Sequence, residues 1–381
     1  MSRKLRVVSI FGTRPEAVKM APVVQALANA PEIESRVIVT AQHRQMLDQV
    51  LELFNIQPDY DLNLMQPNQT LAQLTAAIFT HLDPVLRDLQ PDWMLVQGDT
   101  TTVMAAALLG YYQRIKVGHV EAGLRSGDRW QPFPEEVNRR VASVVADLHL
   151  APTRHSRENL LREGVEDWRI VVTGNPVIDA LNQIVRRPMP AKARQLLEQY
   201  QIGEDGKQLL LVTAHRRENF GEPLEAICHA LKQLAMRYSK EIQIIYPVHL
   251  NPNVQEPVYR LLSGVPNIAL LPPLEYLTMV HLLQAARLVL TDSGGIQEEA
   301  TGLGKPTLVL RNTTERPEGV EAGVLKLVGW NPEKIVREAS QLLEDENAYR
   351  AMVSAENPFG DGHAAERIVA AVQNFKEPGG R

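Results

Sequence analysis

Short β-branched runs alternate with helical patterns along this chain, and the alternation stops once and then restarts. "LRVVSIFG", "SRVIVTAQ", "DWMLVQGD", "IKVGHVEAG", "LHLAPT" and "RIVVTGN" read as strands up to Asn175. Between them, "AVKMAPVVQALANA", "RQMLDQVLELF", "TTVMAAALLGYYQR", "EEVNRRVASVVAD" and "SRENLLREG" carry apolar residues at helical spacing. That rhythm predicts βαβ units on a parallel sheet. "ALNQIVRRPMPAKARQLLEQYQIGEDGKQ" then breaks it with prolines and charges and no strand. Strands resume as "LLLVTAHR", "IQIIYPVH", "NIALLPP", "RLVLTDSGG", "KPTLVL" and "GVLKLVG". The break near 176–206 predicts a domain boundary, and 381 residues are too many for one ordinary core. Two α/β domains are expected, each doubly wound.

Composition narrows the function classes. A net charge of −5 gives no basic field for nucleic acid or an anionic membrane surface. The lone Cys228 excludes an internal disulfide and a cysteine-based metal cluster. The opening "MSRKLRVVSIFG" reads as a first strand, not a targeting peptide. No apolar run approaches the roughly 18 residues of a membrane span. A soluble, cytoplasmic protein is expected, with no metal site.

Ligands of doubly wound sheets sit beyond the carboxyl ends of the strands, so the residues just past each strand matter most. Here they are polar: "GTRPE", "QHRQ", "QGDTTT", "HVEAGLRSGDR" and "GNP", then "AHRRENFG", "PVHLNP", "TDSGGIQEE" and "RNTTERPE". Arginines, histidines and a few carboxylates together suit a phosphorylated polar substrate. Ser293, Gly294 and Gly295 open a helix whose free backbone N–H groups can hold an anion, or they form an ordinary tight turn. Glu299 lies roughly 9 Å further along that helix, where it can take ribose hydroxyls or face solvent. Asp99, before three threonines, is a helix cap, a catalyst or both. Glu121 is a chemical carboxylate or a loop residue paired with Arg125. His119-Val120-Glu121 fits the start of a zinc-deaminase signature, but the P-C-x-x-C half is missing. Glu135 is an acid–base group or a surface partner of Arg139, four residues on. His215 ends a strand before two arginines. Arg14 is a phosphate ligand or a loop cation, and Lys19 is a phosphate ligand or a snorkelling helix residue.

The motifs "FGTRPEAVKMAPV", "QGDTTT", "HVEAGLRS", "PFPEEVNRR", "VTGNPVIDAL", "TAHRREN", "PVHLNPNV", "TDSGGIQEEA", "TTERPEGVEAG" and "NPFGDG" run in this order over nearly the whole chain. In this the chain resembles the non-hydrolysing UDP-N-acetylglucosamine 2-epimerases. The resemblance implies two Rossmann-like domains of the glycosyltransferase-B type around a cleft that holds the active site. It implies an N-terminal domain of residues 1–176 plus a returning helix in 362–381, and a UDP-binding domain of residues 177–361. By resemblance, Ser293, Gly294, Gly295 and Glu299 hold diphosphate and ribose. Arg14, Lys19, His215 and Arg316 attend the phosphates and the leaving UDP, and backbone near Leu274 and Met279 holds the uracil. Asp99, Glu121 and Glu135 become the acid–base candidates. Gln42, His43, Gln45, Gln69, Arg139 and His249 match an allosteric pocket for a second UDP-N-acetylglucosamine. A homodimer and a role in supplying bacterial surface polysaccharide synthesis are implied too.

The chemistry agrees with these residue types. C2 of such a sugar has no adjacent carbonyl, so its proton is not acidic. Without a dinucleotide fingerprint, transient oxidation by NAD has no support. Expulsion of UDP from C1 acidifies the C2 proton, and re-addition after protonation from the other face inverts C2. Cations must attend the departing diphosphate and carboxylates the ring. A hydrolysing epimerase, a retaining glycosyltransferase of the same fold and a silent nucleotide-sugar sensor are the competing readings.

Overall fold

A computed structural model describes residues 3–40, 44–66, 69–203 and 206–378, the side chains at 44 and 45 excepted. The chain divides into two compact units, Met1–Ala180 with Phe359–Arg381, and Leu181–Pro358.

The first unit is built on β1 (Leu5–Phe11), β2 (Ile33–Val39), β3 (Tyr60–Asp61), β4 (Trp93–Gln97), β5 (Lys116–Val120), β6 (Leu148–Ala151) and β7 (Ile170–Val172). All pair in parallel, in the order β3-β2-β1-β4-β5-β6-β7. The second unit uses β8 (Gln208–Thr213), β9 (Ile242–Pro247), β10 (Ile268–Leu271), β11 (Ala286–Thr291), β12 (Thr307–Val309) and β13 (Leu325–Leu327). Their order is β10-β9-β8-β11-β12-β13, again parallel. Each sheet is therefore doubly wound, with its switch point between β1 and β4 or between β8 and β11. Every strand read from the sequence is present. Among the described residues β3 was not foreseen, because two residues carry no periodicity.

Parallel sheets bury both faces, so their strands read as continuous apolar runs and not as alternation. Val7, Val8, Ile10 and Phe11 of β1 are all inaccessible to solvent. Leu82, Leu86, Val96, Val103 and Ala107 share a core with Val8 and Ile10 on one face. The second unit repeats the scheme with Leu210, Val212, Leu231, Ile244 and Leu290. Each such side chain contributes roughly 1.5–3 kcal/mol of burial.

The last helix, Ala364–Asn374, packs on the helix Arg14–Asn29 of the first unit. Its N-terminus is capped from far away in sequence. Asp179 accepts from the backbone N of Ala365 (2.9 Å) and Ala364 (3.2 Å). The segment leading into it is pinned where Asn175 N donates to the Phe359 carbonyl at 2.8 Å. Gly360, at φ 135°, passes so close that an added Cβ would lie 3.3 Å from Asn175 N. Loss of one helix cap costs about 1 kcal/mol. Asp179→Ala is therefore expected to lower the thermal midpoint by a few degrees in a calorimetric scan; an unchanged midpoint would count against this anchor.

Candidate functional site

The strand that ends at Phe11 runs into a tight turn and the helix Arg14–Asn29. Thr13 caps that helix, and Glu16 returns to form a capping box. Glu16 accepts from Gly12 N (3.0 Å), Thr13 N (2.7 Å) and Thr100 Oγ1 (2.7 Å). One buried carboxylate thus ties the turn after β1 to the turn after β4. A side chain at Gly12 would collide with Thr40, its Cβ only 1.9 Å from the hydroxyl oxygen.

Glu121 leaves β5 with a left-handed backbone, φ 64°, which is uncommon for a residue with a side chain. Its carboxylate is buried. Three side chains converge on it: Lys19 and Asn175 on Oε1, the latter at 3.0 Å, and Gln97 on Oε2. Arg125 lies elsewhere and forks onto Glu163 at 2.8 and 2.6 Å. The loop-pair alternative of Glu121 with Arg125 is thereby corrected. Asp99, after β4, receives Arg139 Nη2 at 2.5 Å on its carboxylate and Asn138 Nδ2 at 3.0 Å on its carbonyl. Arg139 also reaches the fully buried Glu136 at 3.3 Å. Glu135 opens the helix Glu135–Val145 and is half-buried. The first unit thus ends β4 and β5 in two neighbouring carboxylates, each seated on its own cation.

In the second unit, β11 ends at Thr291, and Ser293 precedes the helix Gly294–Gly302. Arg316 lies directly over this helix start. A Cβ on Gly294 would fall 2.5 Å from the Arg316 guanidinium. Arg316 is held by Glu298 through Nε at 2.7 Å and faces Glu315 at 3.6 Å. A helix N-terminus with a guanidinium beside it can receive an anion. Asp292, wholly buried, accepts at Oδ2 from His215 N (2.8 Å), Arg216 N (2.8 Å) and Asn219 Nδ2 (2.9 Å). Its other oxygen lies 3.8 Å from His215 Nδ1. Enclosure pushes the His215 imidazole below its ordinary value, Asp292 opposing and Arg216 and His249 reinforcing. His249 stacks on His215, ring centroids 5.2 Å apart. Glu299 is buried on the helix that Ser293 precedes. Met279 sits in the core beside Leu282 and Leu283, with Leu274 against it.

The residues expected at an allosteric pocket are described in part. Gln42, His43 and the Gln45 side chain lie outside the described residues. Gln69 closes a turn on the Gln66 carbonyl at 3.3 Å. Arg139 contacts Asp99, and His249 stacks on His215. Sequence reasoning missed Gln97, Asn175, Glu16, Asp292 and Glu298, although each lies inside or beside a quoted motif. For all but Glu298, which lies in the second turn of its helix, the available signal was a polar side chain in the last position of a buried strand or just after it. Among the described residues, no group of three or more His, Cys, Asp or Glu side chains is placed to hold a metal ion.

A family model described as UDP-N-acetylglucosamine 2-epimerase matches residues 25–373. The UDP-N-acetylglucosamine 2-epimerase of Escherichia coli (strain K12) is 56% identical over 372 residues, covering 97% of this chain and 99% of that protein. That of Bacillus subtilis (strain 168) is 51% identical, covering 96% and 94%. Among solved structures, UDP-GlcNAc 2-epimerase from Neisseria meningitidis bound to UDP-GlcNAc superposes with a TM-score of 0.93 at 48% identity, covering 97% of this chain and 100% of that one. The Methanocaldococcus jannaschii enzyme in complex with UDP-GlcNAc and UDP gives 0.84 at 34% identity, covering 97% and 100%.

Glu315 offers an electrostatic test of the network around Arg316. Burial alone would raise its carboxyl, but Arg311, at 2.8 and 3.2 Å, together with Arg316 and Arg216, brings it well below the ordinary 4.5. A carboxylate depressed on folding stabilises the protein above its unfolded value, and that stability is lost as pH falls below it. Glu315→Gln is expected to lose roughly 1–3 kcal/mol at pH 7, with the gap to the parent closing below about pH 4.5. Urea melts at several pH values check this; a gap independent of pH would refute it.

Proposed function

The chain belongs to the UDP-N-acetylglucosamine 2-epimerase family, and from that membership we propose how its residues interconvert UDP-N-acetylglucosamine and UDP-N-acetylmannosamine. The single observation that carries the reading is the pair of carboxylates at the ends of β4 and β5, Asp99 and Glu121, each anchored by a buried cation. Proton transfer at a sugar carbon needs carboxylates of fixed position. A stereochemical inversion needs one proton-transfer group for each face.

Reaction begins as UDP leaves C1 with the electron pair of the C–O bond. The developing oxocarbenium ion acidifies the C2 proton, which passes to a carboxylate and leaves a 2-acetamidoglucal. A second acid then protonates C2 from the opposite face while UDP re-adds to C1. No step of this route transfers a hydride, so it calls for no NAD, and the charge it develops is met by side chains and a helix start without an obligatory metal. Asp99, Glu121 and Glu135 share the proton transfers. Lys19, against Glu121, keeps that carboxylate beside a positive charge as the cationic ring forms. The second unit takes the leaving group. The N–H groups of the helix that Ser293 precedes, with Gly294, Gly295 and Arg316, hold the diphosphate, Glu299 takes the ribose, and backbone around Leu274 and Met279 takes the uracil. His215, kept largely neutral by its surroundings, donates to a phosphate oxygen. Arg14 adds a further cation at the turn after β1.

Around this centre we place an allosteric pocket for a second UDP-N-acetylglucosamine, formed with Gln42, His43, Gln45, Gln69, Arg139 and His249. The contacts of Arg139 with Asp99 and of His249 with His215 support direct communication with the reacting groups. A homodimer in the cytoplasm, supplying polysaccharide synthesis, completes the proposal. Among the described residues no helix is long and apolar enough to cross a membrane.

Incubation with UDP-N-acetylglucosamine in deuterated water, followed by proton NMR, tests the reaction. The expected product is UDP-N-acetylmannosamine carrying deuterium at C2, without free sugar. Free N-acetylmannosamine with UDP would make the enzyme hydrolysing; an unchanged spectrum with UDP bound would favour a transferase or a sensor. Asp99→Asn and Glu121→Gln are each expected to lower kcat by about 10²–10⁴-fold with KM little changed. Wild-type kcat in both variants would remove these carboxylates from the chemistry.

A further inference from the structure

β4 and β5 hold each other at their carboxyl ends by side chains that run in opposite directions. From β4, the last residue Gln97 donates its amide to Glu121, the first residue past β5. From β5, His119 places Nε2 at 2.7 Å from the carbonyl of Gly98, the residue before Asp99. A carbonyl only accepts, so the ring nitrogen facing it carries the proton. Between these two contacts, Gly98 N donates to the Val120 carbonyl at 3.0 Å, with Gln97 and Val120 in register. Both turns use left-handed backbone, Gly98 at φ 83° and Glu121 at φ 64°. A glycine adopts that region without penalty. For a glutamate it persists only where neighbours over-determine it.

Each clamp residue spends its polar atom on the end of the neighbouring strand. His119 is fully buried and Gln97 nearly so, in strands whose other interior members are Trp93, Met94, Leu95, Val96, Val117 and Val120. An imidazole and an amide there are poorer choices for stability than apolar residues of similar size, because each must be desolvated and matched. His119 lies beside His149 in register on β6, and among the described residues neither His119 Nδ1 nor any ring nitrogen of His149 has a hydrogen-bond partner. Burial pushes the His119 imidazole down to about 4, so it stays a neutral donor through the physiological range.

We propose that Gln97 and His119 are positioning residues that fix the separation of the two reacting carboxylates, Gln97 by holding the Glu121 carboxylate and His119 by holding the turn that carries Asp99. This rests on the reading of Asp99 and Glu121 as the proton-transfer pair. A misplacement of about 1 Å at a reacting group costs on the order of 100-fold in rate.

The deuterium-exchange assay on the intact enzyme tests it with Gln97→Leu, His119→Phe and His119→Gln, which keeps a donor at similar reach. Gln97→Leu and His119→Phe are expected to lower kcat about 10- to 100-fold with KM within about twofold, while His119→Gln recovers most of the loss. The double variant should lose much less than the product of the single losses, since the two act as one unit. If His119→Phe does not fold, Gln97→Leu and the intact protein decide. In the latter, ¹⁵N-histidine NMR should show His119 neutral and protonated at Nε2 from about pH 5 to 8. Wild-type kcat in Gln97→Leu, equal losses in both His119 variants, or an Nδ1–H tautomer overturns the clamp. A parent enzyme that does not epimerise overturns the functional reading itself, whereas an active parent with unaffected variants overturns only the clamp.

Discussion

The carboxyl edge of a parallel sheet is the constraint on which the rest of this protein depends. Both faces of each sheet are occupied by helices, so a functional side chain can leave the core only where the strands end. Such an edge is half covered, and polar groups there must find partners or bear the loss of water. Three carboxylates show two ways of doing so. Glu16 and Asp292 accept mainly from backbone N–H groups and so tie loops down. Glu121 accepts from side chains, those of Lys19, Gln97 and Asn175. The first kind shapes the turns. The second kind is itself held in place, which is the condition for a reacting group.

The charge networks obey the same logic. Arg316, Glu298, Glu315 and Arg311 are all buried. Apolar residues in such places are often as stabilising or more so, because desolvating both partners offsets most of their attraction. Their value lies in direction. Glu298 fixes Arg316 at Nε, which leaves the outer guanidinium nitrogens over Gly294 and the helix start. A lysine there would not be aimed in this way. Gly294 has no freedom to become alanine while the guanidinium stays where it is, so the glycine reflects close approach and not a turn requirement.

Much of the fold was legible because doubly wound sheets write long apolar runs, and because polar strand ends cluster at the switch points. β3 was invisible, being two residues of no distinctive type. The grouping of the site was less legible. "GTRPEAVK" announced Arg14 and Lys19, yet only the structure shows Lys19 beside Glu121, a residue 102 positions later. Such pairing depends on where two helices and two strands meet in space, and nothing in local spacing encodes it. The same is true of Asp179, whose role as a cap for Ala364 and Ala365 spans 185 residues and more.

The two units share a topology and differ in the residues placed just past their central strands. In the first, β4 and β5 lead into Asp99 and Glu121, and these acids are partnered by Arg139 and Lys19. In the second, the turn after β11 and the loop after β12 bring together the N–H groups of a helix start and Arg316, with acids used to aim the cation. The elimination we propose calls for both capacities, since a leaving diphosphate must be met by positive charge just as a departing proton must be met by a base. The two units thus carry different residues at their strand ends on the same kind of sheet.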